Sequence, residues 1–303
     1  MGKYLVKRVL LAILSVIIIS AITFFTMNLI PGGPFNKEKA ASPETIRLLE
    51  EKYNLDKPVG QQYLMYMNNL LHGDWGVSLK TTRDIWTDIS SKFSVSAKLG
   101  GTAAILAIIV GVVLGSAAAL TRNRLPDRLI VFFTTLGTAM PSFVLATLLL
   151  LVFCLKLGWV PVWNAESPNY VLPVIALSVY PMAYITRLTK TSMLDSLNQD
   201  YVRTARAKGV PRGKVIFMHA LRNALIPVIT YVGPMVAYIL TGSMVVENIF
   251  TIGGLGSSFV TSITNRDYTM IMATTMFLAI LMVIANLITD IAYKLVDPRI
   301  TFK

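Results

Sequence analysis

The stretch VLLAILSVIIISAITFFTMNLI, Val9–Ile30, runs for 22 residues without a charge. As a helix rising about 1.5 Å per residue it reaches about 33 Å, enough to cross the ~30 Å hydrocarbon core of a bilayer. Five further stretches have the same character: Leu99–Leu120, Leu129–Leu155, Tyr170–Ile185, Ala224–Val246 and Met270–Tyr293. The fourth is the shortest and carries Pro173 and Pro181, which membrane helices tolerate when neighbours satisfy the freed carbonyls. The reading is an all-α integral membrane protein with six transmembrane helices. The first stretch reads as a retained anchor, because its apolar run exceeds that of a signal peptide and no small-x-small cleavage site follows.

Composition agrees. Of 303 residues, 54% are hydrophobic and 15% charged, and the mean hydropathy is +0.61. A soluble domain carries about 25% charged residues, so an ordinary globular enzyme is excluded, as is a disordered chain. The net charge of +12 would point to nucleic acid in a soluble protein. Here six spans put both termini on one side, and the whole excess falls on that side: Lys3, Lys7 and Arg8, then Arg122, Arg124 and Arg128, then Arg187 to Arg222, then Lys294, Arg299 and Lys303. The positive-inside rule makes that side, with both termini, cytoplasmic, and no nucleic-acid partner is expected. The single cysteine, Cys154, excludes an internal disulfide. His72 and His219 fall on opposite sides and cannot share a metal, and no metal site is expected.

Two loops carry information. The first, Pro31 to Lys98, is external and too long for a connector. Ser42 caps one expected helix with Pro43 in its first turn. A second begins at Pro58, stripes Val59, Tyr63, Tyr66 and Leu70, and stops at Gly73. A third, Arg83 to Phe93, spaces Ile85, Ile89 and Phe93 a turn apart beside Trp86, suiting the membrane interface. Residues 1–98 thus form an N-terminal helix with a helical external loop, which is either a folded cap or a docking surface. Residues 99–303 form a five-helix core with a cytoplasmic loop over about 187–223.

Within that second loop, YVRTARAKG (Tyr201–Gly209) reads as a short amphipathic helix. Gly209 suits the left-handed position past its end, and Pro211 suits the start of a second helix reaching Leu221. Ala205 and Ala207 are small residues on exposed turns, allowing another surface to approach the backbone. An orienting basic loop needs none of this; the element is built to be gripped.

The same stretch resembles the Glu-Ala-Ala-x-x-x-Gly loop of permease subunits in binding-protein-dependent ABC importers, through Arg203, Thr204, Ala205 and Gly209 followed by HALRNALIPV from His219. The leading glutamate and first alanine are missing. The arginine-threonine-alanine form is that of the dipeptide/oligopeptide permeases. LIPGGPFN, NLDKPVGQQYLMYMNNLLHGDWGVSL, MPSFVLATLLLLVF, VVENIFTIGGLGSSFVTSITNRDYTM and LVDPRI agree, in order along nearly the whole chain. The chain resembles the B-type membrane subunit of that family.

The resemblance implies a type I ABC importer-like fold in a prokaryotic inner or plasma membrane. It implies that Arg203, Thr204, Ala205, Arg206, Ala207, Lys208 and Gly209 form the surface that couples to two cytoplasmic ABC ATPase subunits. It further implies a second related permease, making a heterodimer, and an extracellular or periplasmic substrate-binding protein delivering di- or oligopeptides. The family also includes importers of nickel complexes, glutathione and sugars. ATP and Mg would be used by the partner ATPases; no cofactor is expected on this chain. The sequence itself has no G-x-x-x-x-G-K-[ST] phosphate loop, since GVPRGKV (Gly209–Val215) has the wrong spacing and lacks the Ser or Thr.

Other residues were weighed against these. Asn28, Thr134, Thr135, Ser142, Tyr184, Tyr231, Tyr238 and Thr241 are polar or amphipathic within spans; they either line a passage or satisfy helix backbones. GVVLG (Gly111–Gly115) has the small-x-x-x-small spacing of close helix packing, within the chain or against another subunit. Asp290, four residues before Lys294, is expected to form a local ion pair. It is the one ionisable residue deep in a span, which gives an ion-coupled transporter little to work with. No catalytic motif is present, neither H-E-x-x-H nor G-x-S-x-G.

Overall fold

The computed structural model describes residues 2–30, 33–35 and 43–296. The elements in order are α1 (Gly2–Asn28), α2 (Pro43–Lys52), α3 (Val59–Leu71), α4 (Ile85–Leu120), α5 (Leu125–Ala139), α6 (Ser142–Leu149), α7 (Val171–Leu197), α8 (Asp200–Ala207), α9 (Arg212–Lys214), α10 (Arg222–Ile249), α11 (Leu255–Asn265) and α12 (Tyr268–Val296). Leu150–Lys156 and Val215–Leu221 are wound as π turns. Among the described residues there is no sheet, only an isolated bridge between Val77 and Asp84. Ser42 and Asp297–Ile300 lie outside the described residues, as do the side chains of Lys294 and Thr241.

Among the described residues, five stretches are long and apolar enough to cross a membrane: Val6–Asn28, Ile85–Leu120, Val171–Leu197, Arg212–Ile249 and Tyr268–Asp290. A sixth crossing is made if α5 and Ser142–Lys156, bent by 101°, are taken as one span. That bend corrects the straight helix expected over Leu129–Leu155. Pro141 has no N–H to donate and disfavours helical backbone in the residue before it, and Met140 accordingly has φ −86° and ψ 121°.

Two other boundaries differ from expectation for the opposite reason. The helix expected at Arg83 to Phe93 and the span at Leu99–Leu120 are one 36-residue helix, α4, because nothing between Phe93 and Leu99 breaks a helix. The segment expected as a separate helix from Pro211 to Leu221 passes through the Val215–Leu221 π turn into α10 without interruption. The outward face of α1 shows how such helices are solvated. Leu10, Ile13, Leu14 and Ile17 are exposed around it, as suits a surface that meets lipid. Ser15 turns its hydroxyl back onto the carbonyl of Leu11 at 2.8 Å, so that this donor is satisfied within the helix.

By packing, the chain divides into two units. The first comprises Met1–Ser94 and Gly254–Ile284. In it Phe24 and Met27 of α1 pack with Phe35, Leu79, Tyr268 and Met272. Ile85 and Ile89, expected at the membrane interface, are instead fully buried against Leu255, Met270 and Ala273. Trp86 stacks on Trp75 with ring centroids 5.3 Å apart. Asp267, immediately before α12, ties the loop before α4 to it: its carboxylate accepts from the Ser78 hydroxyl at 2.5 Å, the Leu79 amide at 3.1 Å and the Met270 amide at 3.3 Å.

The second unit comprises Val95–Gly253 and Ala285–Lys303. Its larger core gathers Leu99, Ala103 and Ala107 of α4, Leu177 and Ile185 of α7, and Met235 and Ile239 of α10. The GVVLG glycines lie against α7 of the same chain. A Cβ on Gly111 would stand 2.7 Å from the Ile185 side chain, and one on Gly115 would stand 2.5 Å from the Thr186 carbonyl oxygen.

Candidate coupling element and helix wall

Helix α8 is the short amphipathic helix expected from YVRTARAKG. Its Val202 and Ala205, three residues apart and hence on one face, are buried with Ala119, Met193, Val215, Ala220 and Ala224. Ala205 is only 7% exposed, which corrects its placement on an exposed turn: it anchors the helix rather than presenting it. Arg203, Thr204, Arg206, Ala207, Lys208 and Gly209 are exposed. The Asp200–Arg203 pair on this face, at 3.5 Å and open to solvent, contributes little to holding the helix.

The end of α8 is closed by backbone alone. Gly209 has φ +74°. Its N–H donates to the Arg206 carbonyl at 3.0 Å, and that of Val210 donates to the Ala205 carbonyl at 3.1 Å. These are the paired bonds of a Schellman end, and Pro211 then prevents the helix from resuming. One face of α8 is thus anchored against residues of α7 and α10, and its C-terminal end is closed.

A second fixture lies beneath it in the same unit. Lys190 on α7 donates to Asp127 at the start of α5 at 2.5 Å, and the Asn123 amide donates to the other carboxylate oxygen at 3.0 Å. Asp127 is 5% exposed while Lys190 is partly open to solvent, so the ion pair is half-buried. Arg187, one turn earlier on α7, donates to the Thr138 hydroxyl at 2.5 Å. From the sequence, Lys190 is only one of the basic residues between Arg187 and Arg222, and Asp127 does not stand out. The acid in the first turn of an apolar helix was the available signal.

The polar residues named within spans separate into distinct groups. Tyr184 on α7 and Tyr231 on α10 meet with ring centroids 4.2 Å apart, and Tyr180 and Tyr238 on the same two helices meet at 5.4 Å. Tyr184 and Tyr238 are exposed, so the pair of helices presents an open row of phenols. Tyr180, one helical turn before Tyr184, was not singled out from the sequence. Thr134 is buried and, like Thr135, bonds back to Val131. Asn28 donates to Phe24 within α1, in the first unit. Ser142 is half-buried at the start of α6.

Glu247 near the end of α10 was also missed, because α10 runs three residues past the expected end of the fifth span. It is fully buried, and Ser96 on α4 donates its hydroxyl to it at 2.6 Å.

Among the described residues, five helices long and apolar enough to cross a membrane, or six with the bent pair, define an integral membrane protein. Its family follows from comparison with known proteins. Residues 1–100 match the N-terminal region of binding-protein-dependent transport system membrane components, and residues 111–302 match the binding-protein-dependent transport system inner membrane component. The chain belongs to this family of importer permeases. It is 45% identical over 99% of its length to the dipeptide transport system permease protein of Bacillus subtilis, covering 98% of that protein. It is 42% identical to the oligopeptide transport system permease protein of Salmonella typhimurium, with both chains covered in full. Among solved structures, an amino acid ABC transporter (TM-score 0.53, 71% of this chain and 94% of that one) and an inward-facing methionine ABC transporter (TM-score 0.55, 69% and 95%) share the fold at 14% identity.

Proposed function

We propose that this permease forms half of the translocation pathway of an ATP-driven importer of di- and oligopeptides. The observation that supports the cargo is full-length similarity at 45% and 42% identity to permeases named for dipeptides and oligopeptides. In this reading Arg203, Thr204, Arg206, Ala207, Lys208 and Gly209 dock on a cytoplasmic ATPase subunit, and the anchored face of α8 passes the movement to α7 and α10. ATP and Mg bind the ATPases, since this sequence has no phosphate loop of its own. Both termini are cytoplasmic, on the side that carries the basic excess.

The second half of the pathway is a related but different permease, and an external binding protein delivers the peptide. Tyr184, Tyr231 and Tyr238, joined by Tyr180, line the passage on this chain's side. Neutral phenols offer hydrogen bonds to peptide backbones without fixing a charge, so selectivity rests mainly with the binding protein.

Reconstitution of the complex in liposomes tests the reading. Uptake of a labelled dipeptide should require ATP inside, both permeases and the binding protein. Uptake driven by an ion gradient without nucleotide would overturn it.

A further inference from the structure

The fifth crossing starts well before its apolar part. The continuous stretch Arg212–Ile249 has 38 residues, against the ~20 that a bilayer core needs. Its uncharged run, residues 223–246, fills that core, so residues 212–222 emerge into the headgroup layer on the side that carries the basic excess.

The emerging turn has two unlike faces. Its i→i+5 winding sets Val215 and Ala220 on one side, where both are buried. Phe217 and Arg222, also five residues apart, share the other side, with Lys214 and Met218 four residues apart beside them. Phe217 is 66% and Met218 61% exposed, and the basic residues Lys214 and Arg222 stand exposed on either side of them in the chain. Ile229, seven residues past Arg222, continues the exposed stripe into the crossing helix.

Adjacent large apolar side chains are poorly placed in water, and cations are poorly placed in hydrocarbon. The headgroup layer suits both, because Lys and Arg lay their stems along apolar surface and extend their charges outward. Charge then selects among lipids. Lys190 is matched by Asp127 and Arg203 by Asp200, whereas Lys214 and Arg222 have no ion pair among the described residues. No Asp or Glu occurs anywhere from Tyr201 to Val246 to neutralise them.

We propose that Lys214, Phe217, Met218 and Arg222 form a binding surface for an anionic phospholipid, the two cations facing its headgroup and the two apolar side chains its acyl chains. The surface requires only that α10 crosses the membrane; it depends neither on the cargo nor on coupling through α8.

The test uses the full chain carrying Cys154→Ala and Asn223→Cys, labelled with bimane beside Arg222. It is placed in nanodiscs holding a fixed small share of doxyl-labelled phosphatidylglycerol or doxyl-labelled phosphatidylcholine. Each Lys or Arg near an anionic surface is worth about a fivefold preference, so phosphatidylglycerol should quench at least about twofold more strongly. Lys214→Gln with Arg222→Gln should make the two lipids equal, and Phe217→Ser with Met218→Ser should weaken quenching by both. Arg203→Gln with Arg206→Gln, an equal loss of charge on α8, should leave the preference in place. Equal quenching in the otherwise unaltered chain overturns the proposal, as does a preference that survives the loss of Lys214 and Arg222. A fall as large on substitution of Arg203 and Arg206 shows general attraction to the basic side and also overturns it. In the assembled importer complex, loss of quenching by both lipids assigns the face to a partner protein and overturns it too.

Discussion

The amide of Val210 donates to the carbonyl of Ala205 at 3.1 Å, across the left-handed turn made by Gly209. This bond joins the anchored face of α8 to the chain leading into α10. In the proposed coupling role, a load applied to the exposed face would enter the membrane helices here.

Gly209→Val should impair transport while leaving membrane insertion intact. A Cβ at Gly209 would meet nothing within 4 Å, so the effect comes from backbone strain alone. Left-handed backbone costs a branched residue about 1–2 kcal/mol, and asparagine tolerates it better. Gly209→Asn should therefore retain most of the transport rate that Gly209→Val loses, measured as dipeptide uptake at equal membrane content.

Lys190→Met should destabilise the protein more than removal of the whole pair. It leaves the Asp127 carboxylate without its ammonium partner; breaking a fully buried pair costs about 3–5 kcal/mol, and with Lys190 partly open to solvent the loss here lies below that. Replacing both Asp127 and Lys190 by leucine should recover most of that loss. Thermal unfolding of the detergent-solubilised variants, read as a double-mutant cycle, measures the difference.

Gly115→Ala and Gly101→Ala separate close packing from helix propensity. The added methyl at Gly115 would press on the backbone oxygen of Thr186, which cannot turn aside, whereas at Gly101 it meets nothing within 4 Å. Overpacking costs about 1–3 kcal/mol, and a glycine-to-alanine exchange inside a helix stabilises by about 0.5–1 kcal/mol. The unfolding midpoint should fall for the first variant and rise or hold for the second.

The start of α4 should loosen in acid. Asp84 accepts from the Thr87 hydroxyl at 2.7 Å and from the Thr87 amide at 2.8 Å, and these bonds hold its carboxyl below the ordinary 3.8. A depressed folded pKa means that the contribution is complete above the ordinary value and is lost as the pH falls through the lower one. Hydrogen exchange at Ile85 to Ile89 should accelerate over that range. Thr87→Val should shift the onset to higher pH; an onset unchanged by the substitution would remove Thr87 as the cause.

What the sequence disclosed follows from the range over which each feature acts. The apolar runs, the Gly209–Pro211 boundary and the α3 stripe ending at Gly73 are local, and local rules locate them. The sharp bend at Pro141 was equally local but hidden in an unbroken apolar run, where hydropathy outweighed one proline. Ala205 looked exposed because its partners, Ala119, Met193 and Ala224, come from three other helices, α4, α7 and α10. The Asp127–Lys190 pair spans 63 residues and the Ser96–Glu247 pair 151, separations at which no pattern in one sequence signals contact. The tyrosine row was half legible: Tyr184, Tyr231 and Tyr238 stood out as amphipathic residues, and only the crossing of α7 and α10 adds Tyr180.

Cysteine crosslinking at Ala207 tests the coupling role of α8 most directly. In a Cys154→Ala background, Ala207→Cys is exposed on the free face of α8, and in the assembled complex it should crosslink to the ATPase subunit in a manner that changes with nucleotide. Labelling of the same cysteine in intact cells by a membrane-impermeant thiol reagent, with no crosslink to the ATPase, would contradict the account.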